Sequence, residues 1–103
     1  MGVGMQIVYL GFAGSVPLEA EAGVQLVRIA RFSAVLSGCH LTIEALGGPG
    51  AGRLYDARLD LITRLKGLRA IGRCIDSDPH AAVRLAFTLA ERTLAEEHAA
   101  RSA

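Results

Sequence analysis

The side chains best suited to recognition chemistry in this sequence are arginines set at helical spacing. In AVRLAFTLAERTL (82–94), Arg84 and Arg92 stand eight residues apart. On a helix that puts them roughly 80° apart around the axis and about two turns along it. Guanidinium groups take phosphate through paired N–H donors, so two at this spacing can serve one elongated phosphate surface. Arg28 and Arg31 lie in another segment of helical period. A third group falls between Arg53 and Arg73, where Arg53, Arg58, Arg64, Lys66, Arg69 and Arg73 face only Asp56 and Asp60. That stretch carries +4 and the rest of the chain −3, for a net charge of +1. It supplies Arg58, Lys66, Arg69 and Arg73 as secondary candidates, although the same charges also suit a solvated surface.

Catalytic chemistry finds less support. Asp56 and Asp60 share a strand face about 13 Å apart by strand rise, too far for a carboxylate pair. His80 sits in a first helical turn with no nucleophile near it in sequence. GGPGAG (47–52) lacks the lysine and the helix context of a phosphate loop. The Gly11–Gly14 segment separates a strand from a helix, but it lacks the dinucleotide fingerprint and is expected outside any parallel βαβ unit. Cys39 and Cys74 form no CxxC pair and fall on apolar strand faces, as core thiols do. Together with His40, His80 and His98 they show no zinc-ligand spacing. The expectation is a binding protein, not an enzyme, with no cofactor and no metal.

Composition sets the frame for these residues. A chain of 103 residues, 51% hydrophobic and 20% charged, suits one folded domain with one core. A net charge of +1 is low for a strong nucleic-acid binder, because phosphate neutralisation supplies most of the affinity. The start, MGVGMQIVYLGFAGSVPLEA, has no basic residue before its apolar run, unlike a secretory signal. No run approaches the roughly 20 apolar residues of a membrane span. The expected location is the cytoplasm, with no membrane partner.

The elements that must position the arginines follow from periodicity. MQIVYL (5–10) is β-prone, GFAGSVP is a loop, and a helix is expected over about 17–33, with Leu18, Ala22, Leu26, Ile29 and Phe32 on one face. CHLTIEAL (39–46) and LYDARLDLIT (54–63) alternate as half-buried strands. Their inward residues are Cys39, Leu41, Ile43 and Ala45, then Tyr55, Ala57, Leu59 and Leu61; Asp56, Arg58 and Asp60 point out. LRAIGRC (68–74) is expected to turn Leu68, Ala70 and Cys74 inward and Arg69 and Arg73 outward. DSDP (76–79) starts a second helix, with Asp78 as cap and Val83, Phe87, Ala90 and Leu94 as its apolar face. The order β-α-β-β-β-α reads as an α+β two-layer sandwich, a four-stranded sheet with two helices on one face. One domain spans 1–103, with an N-terminal extension (1–4), a flexible glycine-rich loop (47–52) and a tail (99–103). The wet sheet face offers no aromatics for base stacking, so any RNA contact should be arginine–phosphate pairing.

With these residues in place, the sequence resembles the ribosome hibernation-promoting and ribosome-associated translation-inhibitor family, also called sigma-54 modulation proteins. MQIVYLGFAGSVPLEA is similar to that family's opening strand, glycine loop and helix. LYDARLDL is similar to its third strand, and AVRLAFTLAERTL to its last helix, with Arg84, Phe87, Ala90, Arg92 and Leu94 on family-typical positions. The resemblance implies the β-α-β-β-β-α fold reached above. It also implies a short form that binds the small ribosomal subunit in the mRNA and tRNA channel, contacts 16S ribosomal RNA through basic residues of the two helices, and silences translation under stress. Arg28, Arg84 and Arg92 match basic positions of that pattern, and Arg31 stands close by. Gln25 takes a place where lysine is common; SAVL (33–36), GGPGAG and AEEHAARSA replace segments that usually carry basic residues. Each lost cation removes about one phosphate contact. The alternative is a diverged member that keeps the fold and binds a protein partner or itself as a homodimer. Val24 and Val27 give the first helix apolar surface for that role.

Overall fold

A computed structural model describes residues 3–48 and 52–102. The middle of GGPGAG (49–51) and the first two residues of the expected extension lie outside the described residues. The elements run β1 (Gly4–Leu10), α1 (Val16–Ala30), β2 (Leu36–Leu46), β3 (Leu54–Thr63), β4 (Gly67–Asp76) and α2 (Pro79–Ser102). They form one four-stranded sheet in the order β1-β2-β3-β4. β2, β3 and β4 are antiparallel neighbours, as their short connections require.

β1 instead pairs with β2 in parallel, from Gly4 opposite Gly38 to Leu10 opposite Glu44. β1, α1 and β2 therefore do form a parallel βαβ unit, contrary to the expectation from sequence. The helix crossover returns the chain to the same end of the sheet, which spacing alone did not reveal. The glycines of the crossover serve the backbone. Gly11 and Gly14 have φ of 78° and 74°, and a Cβ on Gly14 would lie 2.6 Å from the Tyr9 ring.

Both helices begin on side-chain caps. The Leu18 amide donates to Ser15 Oγ at 3.2 Å, with Pro17 in the first turn. The His80 amide donates to Asp78 Oδ1 at 2.9 Å. α1 buries Leu18, Ala22, Gln25 and Ile29, and Phe32 follows in the turn beyond it. Leu26, expected on that face, is only partly buried, and Gln25 takes its place. α2 buries Ala82, Val83, Ala86, Phe87, Ala90 and Leu94. These residues meet Cys39, Leu41, Ile43, Ala57, Leu59 and Leu61 of the sheet in one core. The segment from 99 onward, expected as a tail, continues α2 to Ser102.

β4 departs most from the alternation read in the sequence. Its register against β3 slips between Leu59 and Asp60, leaving Ile71 without a partner. A bulge of one residue turns every side chain beyond it to the other face. Leu68, expected inside, is 61% exposed, and Ala70 is exposed too. Arg69, expected outside, stands opposite buried Leu61 and reaches α2. Just past the bulge Gly72 lies under the helix, where a Cβ would come 2.6 Å from the Ala86 carbonyl oxygen. A glycine there lets α2 sit directly on β4.

Candidate functional site

Arg28, Arg31 and Arg84 meet acidic residues where α1 and α2 run side by side. Arg28 donates from Nη2 and Nε to Glu91 Oε1, at 2.6 and 3.2 Å, and from Nη1 to Gln25 Oε1 at 2.8 Å and Thr88 Oγ1 at 3.2 Å. Arg31 reaches the other oxygen of Glu91 at 3.4 Å while its guanidinium lies 4.5 Å from the Phe32 ring centroid. Arg84 donates to Glu21 Oε1 at 3.0 Å, and His80 Nδ1 lies 3.4 Å from the same oxygen. Glu21 also accepts from Gln25 at 2.9 Å. That hydrogen bond, with those from His80 and Arg84, outweighs desolvation and holds the Glu21 carboxyl below its ordinary value. Arg92 is exposed and, among the described residues, has no ion pair.

The four helix candidates thus separate by environment. Arg28 uses its donors inside the molecule as a brace between the helices. Arg31 and Arg84 are about half exposed, each with one ion pair, so most of their five N–H donors are unused. Arg92 is wholly available. In sequence Arg84 and Glu91 lie seven residues apart, on one helical face, yet each pairs with a residue of α1 and not with the other. The opposing helix that completes each pair is a tertiary fact. Glu21, Glu91 and Gln25 were therefore missed as members of the site.

The secondary candidates are dispersed. Arg58 and Arg73 lie on the uncovered sheet face and converge on Asp56, whose side chain is only 1% exposed. Asp56 was expected in water; two guanidiniums and its sheet neighbours close over it instead. Arg58 donates to Asp56 at 3.2 Å and to Glu44 at 3.1 Å, and Arg73 Nη2 stands 2.9 Å from Asp56. Arg69 makes a two-toothed pair with Glu97 of α2, at 3.0 and 2.8 Å. Lys66 is exposed in the β3–β4 turn. None of these four lies among the helix arginines. Cys39 and Cys74 are free thiols; burial pushes Cys39 up to about 11 and raises Cys74 as well. Among the described residues no three metal-ligating side chains gather, and no helix is long and apolar enough to cross a membrane.

Fold and surface together define a two-layer α+β module whose helix pair carries three exposed arginines, Arg31, Arg84 and Arg92, the first two each held by one ion pair. Solved structures with this architecture include a ribosomal subunit interface protein from Coxiella burnetii. It superposes with a TM-score of 0.69 at 18% identity, over 94% of this chain and 99% of that one. The N-terminal domain of Protein Y from Thermus thermophilus superposes with a TM-score of 0.70 at 17% identity, over 91% and 96%. No family model matches the sequence, and no curated protein does. At these identities the likeness is one of fold, and it spans nearly the whole of each chain.

Proposed function

We propose that this protein associates with the ribosome without catalysis, docking on the small subunit in the mRNA and tRNA channel and occluding it. The contact is arginine–phosphate pairing with 16S ribosomal RNA from the outer side of the helix pair. The observation that carries the reading is the near end-to-end match in fold to a ribosomal subunit interface protein, with Arg31, Arg84 and Arg92 holding free donors on that surface. Arg92 and Arg84 are the principal ligands and Arg31 a third, while Arg28 holds the helices in place for them. Arg58, Lys66, Arg69 and Arg73 are secondary; three of them are already matched by Asp56, Glu44 and Glu97. Ribosome association places the protein in the cytoplasm.

Cosedimentation with ribosomes across a salt series tests this. Wild type should pellet with the small subunit at low salt, and the Arg84→Ala, Arg92→Ala double variant should bind more weakly. Its dependence on log salt should be shallower by roughly one unit for each lost phosphate contact. Absence of pelleting at low salt overturns the reading, and an unchanged double variant overturns the residue assignment.

A further inference from the structure

β1 is an edge strand whose outer side has no pairing partner among the described residues. Folded proteins commonly protect such edges with a bulge, a charge, a proline or a covering element. The opposite edge, β4, carries the Ile71 bulge and Arg69 and Arg73. β1, GMQIVYL, has no charge, no proline and no bulge. Its inward side chains Met5, Ile7 and Tyr9 are only partly buried. With Glu19 and Gly23 of α1 they line an open groove of about 350 Å³.

The helix above this groove is apolar on the same flank. Val16 and Val27 are 81% and 73% exposed. By helical spacing they lie within about 40° of Gly23, which itself borders the groove. A Cβ on Gly23 would meet nothing within 4 Å. Both layers of the sandwich thus end in a largely apolar strip along one side of the molecule, with Glu19 as the charge that lines its groove.

We propose that a second copy of this chain occupies that side. The two β1 strands pair antiparallel about a two-fold axis through Ile7, and the two α1 helices run antiparallel next to each other. The strip is self-complementary, as an isologous interface requires. In this register Met5 faces the partner's Tyr9, Gln6 faces the partner's Val8, and Ile7 meets its own copy, so no like charges oppose across the strands. Gly23 comes nearest the axis in the helix layer, where the absent side chain allows close approach. Antiparallel helices about Gly23 set Glu19 against the partner's uncharged Val27 and not against its own copy. β1 and α1 are each about 22 Å long, and two layers are roughly 20 Å deep. The contact therefore removes on the order of 900 Å² in total, the size of a concentration-dependent dimer and not of an obligate one.

Sedimentation velocity with light scattering, from about 5 to about 500 μM protein, reads this directly. Wild type should shift with concentration from its 10.8 kDa monomer toward twice that mass. Gly23→Lys and, separately, Gln6→Lys should each raise the dimer Kd by at least about tenfold, by setting like charges near the axis, with circular dichroism unchanged. Gln6 is exposed on the sheet face, so its variant folds even if the helix variant does not. Val24→Lys, about 100° around α1 from Gly23, should leave the Kd within about twofold. A wild type that stays monomeric throughout overturns the proposal. So does a dimer that both Gly23→Lys and Gln6→Lys leave intact, or one that Val24→Lys alone dissociates. The measurement contains no ribosome, so its outcome is separate from that of the cosedimentation.

Discussion

Arg28 and Arg92 show how two residues of one type on one pair of helices come to do different work. Arg28 satisfies Glu91, Gln25 and Thr88 at once. Its loss leaves a half-buried carboxylate and an amide short of partners. Arg28→Ala should lower unfolding stability by about 1–3 kcal/mol in urea titration, whereas Arg92→Ala should stay within about 0.5 kcal/mol while weakening ribosome pelleting. Equal stability losses in the two variants would contradict this division. Asp56 presents the reverse case, a buried acid held by one part-buried and one exposed cation. Asp56→Ala should cost about 1–3 kcal/mol in the same assay, because its sheltered site is built around a charge that two guanidiniums compensate.

At the scale of elements, the contact between α2 and β4 rests on Gly72. A methyl group at that position would meet the Ala86 backbone, which no side-chain rotation can relieve. Gly72→Ala should therefore destabilise the fold by about 1–3 kcal/mol, and amide exchange should quicken first in α2 and β4. The helix pair adds a dependence on acid. Glu21 is held below its ordinary value of 4.5 in the folded state, so the folded protein binds a proton there less readily than the unfolded chain. Its contribution to stability is fully present above that value and is lost as pH falls below it. Thermal melts from about pH 7 to about pH 3 should show this loss. Glu21→Gln should flatten that part of the profile, and an unchanged acid limb would show that Glu21 does not contribute to it.

At the scale of the whole molecule, charge balance sets how ribosome association should respond to salt. Eleven basic residues offset ten acidic ones, and most of the arginines are matched across elements. With about three arginines free to meet phosphate, affinity should fall roughly 20- to 40-fold between 50 and 200 mM salt. A much steeper fall would require cations beyond Arg31, Arg84 and Arg92. The element order, the helix caps at Ser15 and Asp78, and the inward rows of β2 and β3 were legible in the sequence. Each rests on short-range rules: strand alternation, helical period and cap chemistry act within a few residues. Periodicity placed Phe87 and Val83 in the core for the same reason. The parallel β1–β2 pairing, the Ile71 bulge and the burial of Asp56 were not legible, because each depends on how one strand meets another, which no rule acting along a single strand specifies. The arginines themselves were visible at once, but which of them remain free was settled only when α1 and α2 came together. Sequence alone determined the elements and the kind of side chain each presents. Tertiary structure decided which charges neutralise one another, since an ion pair depends on distance in space and the chain specifies only distance along itself.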